Sequence, residues 1–368
     1  MTRLFFLLFI GISLTGYSQE KFTLSGTIFE SEGQETLIGA NILILNLKTG
    51  TISNEYGFYS ITLNKGTYEV TVSTIGYTSL KQTIALDRNI SQNFTLTESL
   101  ETLDEVVINT DIETIDIKTP QMSVNSLTAS TIKQIPVVFG EADVIKAITL
   151  LPGVSSGGEG AAGFNVRGGA VDQNLILLDE ATIFNSSHLF GLFSVFNPDA
   201  IKNLKLYKGG IPAKYGGRVA SVLDIYQKEG NKNKFQVNGG VGIVASRLLL
   251  EGPIKKGTGS FLFGGRATYA HLLLPLFDVD NIAYFYDLNT KISYKLNQKN
   301  NIYLSGYFGR DVFSISDSFE NTYGNTVVNF RWNHLFSDQL FSNLSLIYSD
   351  YYYGLDLNFV GFEWNSGI

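Results

Sequence analysis

Residues able to do acid–base or metal chemistry are few and scattered in this sequence. Its three histidines, His188, His271 and His334, lie far apart, and none has the nearby histidine or glutamate of a zinc-hydrolase motif. The chain has no cysteine, which excludes thiolate nucleophiles and cysteine-ligated zinc. The sequence therefore predicts a protein that is not an enzyme and that holds neither a metal ion nor a cofactor.

The glycine-rich loop Ser155–Gly163 is superficially similar to a phosphate-binding loop. No Lys-Ser or Lys-Thr pair follows it, so nucleotide binding is not predicted. The net charge of -7 leaves no broad basic surface, which argues against nucleic acid as a partner. With 37 glycines, 13% aromatic and only 17% charged residues, the composition indicates a β-rich chain that is partly exposed to lipid.

The N-terminus has the pattern of a cleaved signal peptide over residues 1–18. Arg3 precedes a short apolar run, and Gly16 and Ser18 place small residues before the predicted cleavage site. A buried first strand or a membrane anchor is the alternative, but the run is shorter than the ~18 residues that span a bilayer. No later run is longer, so a membrane could be crossed only by a closed barrel.

Residues 19–100 are predicted to form a small antiparallel β-sandwich. Tyr68, Val70 and Val72 alternate with polar residues, which predicts a strand with one buried face. Gly57 and Gly66 are expected at hairpin positions that favour a positive φ. The predicted strands are Phe22–Phe29, Ala40–Leu45, Gly50–Ser53, Phe58–Leu63, Gly66–Ile75, Tyr77–Leu86 and Asn89–Leu96.

Short motifs in this region resemble the carboxypeptidase regulatory-like family. They are Gly26-Thr-Ile, Leu37-Ile-Gly-Ala-Asn-Ile, Thr49-Gly-Thr, Asn54-Glu-Tyr-Gly-Phe-Tyr, Gly66-Thr-Tyr and Ile75-Gly-Tyr. Despite the family's name, the three histidines all lie outside this region, so no hydrolytic site is expected in it.

Residues 120–228 mix helical and strand patterns. Thr128 is predicted to cap a helix that ends at Gln134, and a second helix is predicted over Glu141–Leu150. Pro198 is expected to begin another short helix. Strands are predicted around Phe164, Leu175, Leu204 and Val219.

Several motifs of this region, in the same order, resemble the plug of TonB-dependent outer-membrane receptors. They are Leu150-Leu-Pro-Gly-Val, Phe164-Asn-Val-Arg-Gly-Gly, Asp172-Gln-Asn-Leu-Ile-Leu-Leu-Asp, Tyr207-Lys-Gly-Gly-Ile-Pro-Ala-Lys-Tyr-Gly-Gly-Arg and Ser221-Val-Leu-Asp-Ile. The resemblance implies a small mixed α/β domain inside a barrel. Arg167, Asp172, Asp179 and Arg218 would then make polar contacts with the barrel, and ordinary surface charge is the alternative.

The linker 101–119 contains an acidic and β-branched segment of five residues, Asp104, Glu105, Val106, Val107 and Ile108. It resembles the TonB box, which binds TonB of the inner-membrane energy-transducing complex by strand addition. The alternative is that Val106–Ile108 ends the sandwich or begins the plug.

Alternation dominates residues 229–368. Apolar Tyr286, Leu288 and Ile292 alternate with polar Asp287 and Lys291, at strand lengths that suit an outer-membrane barrel. A soluble sandwich with one wet face is the alternative. Six strands are predicted, too few to close, so a truncated barrel is expected: Phe235–Glu251, Gly259–Leu273, Ala283–Leu296, Ile302–Phe313, Val327–Phe336 and Leu340–Val360.

The expected fold is mainly β, with an N-terminal antiparallel sandwich, a mixed α/β plug and antiparallel strands of a truncated transmembrane barrel. The resemblance implies TonB-dependent uptake of a scarce, bulky nutrient across the outer membrane, with outer-membrane lipid and a surface lipoprotein as further partners. Asn185, Ser186, His188 and Phe190 combine polar and apolar groups and are candidate ligand contacts, although this segment could equally pack the plug. A surface adhesin and a signal-relaying receptor are the other functions considered.

Overall fold

The computed structural model describes residues 20–99, 123–135, 142–158, 163–242, 244–272, 282–315, 318–359 and 362–367. The predicted signal peptide and the segment Asp104–Ile108 lie outside these residues. The chain divides into two compact units, one formed mainly by the strands up to Leu96 together with Phe336–Phe341, and the other mainly by the elements from Val124 onward together with Glu32–Glu35. Within the described residues, no helix is long and apolar enough to cross a membrane.

The first unit is a β-sandwich built from two four-stranded sheets. Its strands are β1 (Lys21–Glu30), β2 (Asn41–Ile44), β3 (Thr49–Ile52), β4 (Phe58–Asn64), β5 (Gly66–Ser73), β6 (Leu80–Leu86), β7 (Ile90–Ser91) and β8 (Phe94–Leu96). One sheet has the order β3-β2-β5-β6, and in the other β1 pairs with β4, β7 and β8. Tyr68, Val70 and Val72 point into the core as their alternation predicts.

Three details of the sandwich differ from the sequence expectations. β1 pairs with β7 and β8 in parallel, because the chain crosses to the other edge of β1 after β6. The strand expected at Asn89–Leu96 is therefore two short strands. Gly57 has the expected positive φ of 76°, but the prediction for Gly66 is wrong, since this residue is the extended first residue of β5.

The second unit begins with a mixed α/β region. Its elements are β9 (Val124–Thr128), α1 (Ala129–Gln134), α2 (Val144–Thr149), β10 (Val154–Ser156), β11 (Phe164–Val166), β12 (Asn174–Leu178), β13 (Ala181–Thr182), β14 (Ser187–His188), β15 (Phe193–Ser194), β16 (Ile201–Tyr207) and β17 (Ser221–Gln227). A five-stranded sheet of order β13-β12-β17-β16-β9 forms its centre.

Local capping explains the two helices. The Thr128 side chain accepts a hydrogen bond from the backbone of Thr131, and Asp143 does the same for Lys146. The predicted cap at Thr128 is confirmed, whereas the second helix starts later than expected. The helix predicted at Pro198 is wrong, because the Asn197 side chain accepts from the Asp199 amide and closes a turn.

The rest of the unit is one antiparallel sheet in which the strands follow their chain order. They are β18 (Gln236–Val241), β19 (Ala245–Lys255), β20 (Gly259–Thr268), β21 (Ile282–Asn297), β22 (Asn300–Ile315), β23 (Phe319–Ser337), β24 (Leu340–Phe359) and β25 (Phe362–Gly367). The expectation of six strands is wrong. A turn closed by the Gly242 amide and the Ala245 carbonyl splits the first predicted strand, and β25 folds back on the last one.

The α/β region packs directly against this sheet. Its core is formed by the apolar faces of α1, α2 and the central strands, and Tyr307 of β22 and Val327 of β23 belong to the same buried cluster. The two parts of the second unit therefore share one core. The mainly β fold with a small α/β domain is confirmed.

Candidate functional site

The eight-stranded sheet buries its polar face and exposes its apolar face. On β21, Asp287 and Lys291 are at most 2% exposed, whereas Leu288 is 41% and Ile292 is 44% exposed. Successive side chains of a strand point to opposite faces, so on β21 these polar residues share the buried face and these apolar residues share the exposed face. The arrangement is the reverse of a soluble sheet packed on an apolar core.

The same reversal continues on β23. Asn329, Arg331 and Asn333 are buried, while Phe330 and Trp332 are more than a third exposed. The buried polar face lies toward the α/β region, which supplies partners for its charges. These partners form three groups of contacts.

The first group surrounds His188 of β14, which is 1% exposed. Its Nδ1 lies 2.6 Å from Asp311 Oδ2 on β22, and its Nε2 lies 3.1 Å from Asp287 Oδ2 on β21. The imidazole also stacks on the Phe285 ring, with 4.1 Å between ring centroids and 6° between ring planes. A single ring of the α/β region thus contacts two neighbouring strands of the sheet.

Both carboxylates make further bonds that hold them in place. The Arg266 guanidinium donates to Asp287 from Nη2 at 2.6 Å and from Nε at 2.9 Å. The same Nη2 donates to the Ser194 carbonyl oxygen at 2.7 Å. Asp311 accepts a 2.8 Å hydrogen bond from the backbone amide of Leu189. The site is therefore a buried network of two carboxylates, one guanidinium and one imidazole.

Burial alone would disfavour the charged imidazole of His188. The carboxylates of Asp311 and Asp287 outweigh that cost, so the pKa of His188 lies above its ordinary value.

The second group joins Asp179, after β12, to Lys291. Lys291 Nζ lies 3.0 Å from the Asp179 carboxylate and donates to the Gln227 carbonyl oxygen at 2.9 Å. Asp179 also accepts from the Gln227 amide at 3.1 Å, and the Asn329 side chain donates to the Asp179 carbonyl oxygen. Neighbouring Glu180 accepts hydrogen bonds from the Asn343 and Ser345 side chains of β24.

The third group joins Asp199, which follows β15, to two cations. Lys133 Nζ of α1 lies 2.5 Å from Oδ1, and Arg247 Nε of β19 lies 2.7 Å from Oδ2. Although burial opposes ionisation, these two cations lower the pKa of Asp199. Nearby Glu229 is also buried, and Lys232, whose Nζ lies 2.7 Å from Oε2, outweighs burial and lowers the pKa of Glu229 to about 2.

The four charges expected at the plug–barrel contact do not all lie there. Asp179 meets Lys291 of the sheet. Arg167 donates instead to the Ser123 hydroxyl of the α/β region at 3.1 Å. Asp172 and Arg218 are exposed.

The four candidate ligand contacts separate in the same way. His188 is buried in the polar network rather than open to a ligand. The Asn185 amide donates to the Asn325 side chain of β23 at 3.2 Å, and Ser186 is buried. Phe190 is 45% exposed and has a φ of 56°, a conformation that bulky residues rarely adopt.

Sequence reasoning did not single out Arg266, Asp287, Lys291 or Asp311 as site residues. Each is a charge on the polar face of a predicted strand. A charged residue at such a position is normally interpreted as solvent-exposed. These four residues could have been identified only by combining the apolar opposite face of the strands with the neighbouring α/β region. Among the described residues, no group of three or more His, Asp and Glu is arranged to hold a metal ion.

Two family models match the chain. Residues 24–108 match the CarboxypepD_reg-like domain, and residues 116–222 match the TonB-dependent Receptor Plug Domain. The chain is also 28% identical over 252 residues to the TonB-dependent receptor SusC of Bacteroides thetaiotaomicron. That match covers 63% of this chain and 24% of the relative, so the chain spans about a quarter of the relative's length.

Solved structures similar to the chain include outer-membrane receptors. The alcaligin receptor FauA of Bordetella pertussis has a TM-score of 0.48 at 15% identity, covering 65% of this chain and 40% of that one. The siderophore receptor PirA of Pseudomonas aeruginosa has a TM-score of 0.45 at 18% identity, covering 67% and 41%. The family matches confirm the predicted carboxypeptidase regulatory-like domain and TonB-dependent receptor plug.

Proposed function

We propose that this chain, which carries the carboxypeptidase regulatory-like and plug domains of a TonB-dependent receptor, serves active uptake of a scarce, bulky nutrient across the outer membrane. In this proposal the α/β region is the plug that gates a β-barrel channel, to which the eight-stranded sheet contributes. The domain bounds are those expected from the sequence: 19–100, a linker 101–119, the plug 120–228 and barrel strands 229–368, after a cleaved signal peptide.

The observation that carries the proposal is the reversed sheet. Leu288, Ile292, Phe330 and Trp332 present apolar surface outward from a sheet whose other face is polar and buried. In water such a face would be a large unpartnered apolar patch, whereas bilayer hydrocarbon is a favourable environment for it. A surface adhesin could keep these strands, but it would have no use for a plug held on their inner face.

Gating requires a plug that is held firmly and released without destroying the barrel. The three polar contact groups meet this requirement, because ion pairs can be exchanged for water when the plug moves. The apolar cluster that the plug shares with Tyr307 and Val327 of the sheet opposes release, since its exposure has no compensating hydration.

Energy for release is proposed to arrive through the segment Asp104, Glu105, Val106, Val107 and Ile108. An extended peptide at this point can add a strand to a sheet edge of TonB. The segment precedes the plug in the chain, so a pull on it reaches the plug first.

Ligand contact is proposed for the exposed Phe190, with the half-buried Asn185 and the buried Ser186 before it in the chain. Two consecutive bulky residues, Leu189 and Phe190, have positive φ values, and the resulting turn leaves the Phe190 ring 45% exposed. Residues with strained backbone conformations cluster at active sites and ligand-binding sites. His188 is withdrawn from this set of proposed contacts because the polar network occupies both its nitrogens.

The uptake proposal can be tested with a panel of candidate nutrients. Strains lacking the receptor gene, or lacking TonB, would be compared for uptake of labelled ferric siderophores, cobalamin, oligosaccharides and peptides. We expect one class to be lost in both strains and restored by the receptor gene. Two results together would show that the proposal is wrong. The first is that loss of TonB impairs uptake of nutrients whose uptake is unaffected by loss of the receptor. The second is that the receptor does not bind the purified periplasmic domain of TonB.

A surface lipoprotein partner belongs to the same proposal. Affinity purification of the receptor from outer membranes solubilised in mild detergent should recover such a lipoprotein in a constant ratio. Recovery of the receptor alone would remove this partner from the proposal.

A further inference from the structure

We infer that His188 is a proton-binding latch: it holds the plug on the sheet as an imidazolium, and undocking of the plug releases its proton to water. The inference rests on the α/β region acting as a plug, but not on uptake of any nutrient.

The geometry around the ring requires two donors. Nδ1 and Nε2 each face a carboxylate oxygen, at 2.6 and 3.1 Å. A neutral imidazole has one N–H, so in that form a ring lone pair would face one of the carboxylates. Only the imidazolium donates to Asp311 and Asp287 at the same time.

Charge balance leads to the same protonation state. Charged groups of three strands take part in the network: Asp287 of β21 and Asp311 of β22 contact the ring, and Arg266 of β20 bonds to Asp287. With His188 protonated, two positive and two negative charges compensate each other. With His188 neutral, one negative charge would be left without compensation in a site from which water is excluded, which is costly.

The other groups that contact the site are tyrosine hydroxyls, an aromatic ring face and a backbone carbonyl, and an ordinary tyrosine has a pKa of about 10. Tyr307 Oη lies 3.2 Å from His188 Nε2, and the Tyr323 hydroxyl accepts from the Phe190 amide at 3.2 Å. Phe285 contributes only its ring face, and the Ser194 carbonyl oxygen accepts from Arg266. The pH response of docking near neutrality is therefore assigned to the imidazole.

Linkage gives the direction of the effect. In the undocked plug His188 is solvated and has an ordinary pKa, whereas in the docked plug its pKa is raised. A raised pKa contributes stability that is complete below the ordinary value and is lost as pH rises through the docked value. Docking therefore takes up a proton, and alkaline conditions loosen the plug.

Nitrogen NMR of the labelled imidazole tests the protonation state directly. The difference spectrum between the parent receptor and His188→Gln isolates the signals of one residue. We expect an imidazolium spectrum at about pH 8, where an ordinary histidine is neutral. Asp311→Asn should lower the pKa of His188, because it removes one of the two carboxylates that raise it. A neutral His188 tautomer near pH 7 in the parent would overturn the inference.

A labelling experiment tests the consequence for the plug. The chain is free of cysteine, so Ala147→Cys in the plug core places a single thiol at a buried position. In moderate urea, maleimide labelling should be roughly tenfold faster at about pH 9 than at about pH 6.5, after correction for thiol ionisation with a free peptide. His188→Gln should remove most of this difference.

The matched control is His334→Gln, because His334 lies on β23 and its Nδ1 lies 2.7 Å from Asn300 Oδ1. The control variant should keep the pH response. A response that survives His188→Gln, or that disappears in the His334 control, would show that another group governs docking. Neither experiment involves nutrient or TonB, so failure of the latch and failure of the uptake proposal are distinguishable.

Discussion

Replacing Lys291 of β21 by methionine should loosen the plug. The Lys291 ammonium lies on the buried face of the strand and bridges the Asp179 carboxylate and the Gln227 carbonyl oxygen. Methionine keeps the length of the side chain but removes the charge and the donors. Asp179, 1% exposed, would then carry a buried negative charge without its cation.

The magnitude follows from the cost of removing one partner of a buried ion pair, which is about 3–5 kcal/mol. Asp179 would keep the hydrogen bond from the Gln227 amide, so we expect the free energy of plug opening to fall by an amount at the lower end of this range, about 3 kcal/mol. Asp179→Asn combined with Lys291→Met removes both charges, and should cost less than the sum of the single changes.

The assay is the urea dependence of maleimide labelling at Ala147→Cys, which reports opening of the plug core. Lys295→Met is the matched control, because Lys295 lies on the same strand but is exposed. Lys295→Met should change the free energy of plug opening by no more than about 0.5 kcal/mol. If Lys291→Met lowers the labelling midpoint no more than Lys295→Met does, the buried pair does not hold the plug and the reasoning fails.

Four further predictions concern other parts of the chain. The mature protein should begin near Gln19, and mass spectrometry that finds the first 18 residues retained on exported protein would contradict this. Val107→Pro should abolish energy-dependent uptake at normal receptor level while surface binding of ligand persists, whereas Val107→Ile should be tolerated. Gly57→Ala should destabilise β4 by about 1–2 kcal/mol through its positive φ, and Gly66→Ala should not, as judged by hydrogen exchange of the β4 amides. Glu229→Gln should lower the free energy of unfolding by up to about 3 kcal/mol at neutral pH but by little near pH 2. The reason is that a lowered carboxyl pKa contributes stability above the ordinary pKa, and this stability is lost as pH falls through the lowered pKa. An equal loss at both pH values would exclude this origin.

Family membership and local structure could be predicted from short stretches of sequence. Thr128 caps α1 because a threonine hydroxyl can reach the amide three residues later, a distance set by the backbone alone. The alternation through Leu288 and Ile292 predicted which residues share a face, because the strand period is two. Motifs such as Phe164-Asn-Val-Arg-Gly-Gly identified the plug because several of them occur in order over about a hundred residues.

The tertiary structure alone decided which charges meet. His188 is 99 residues from Asp287 and 123 from Asp311, and Asp179 is 112 from Lys291. No local rule relates residues so far apart, since their contact depends on the register of several strands and on the fit of the plug against them. A charge on a strand face looks the same in sequence whether water or a buried partner will neutralise it. For this reason the sequence could not show that Arg167 donates to Ser123, or that His188, a candidate ligand contact, lies between two carboxylates.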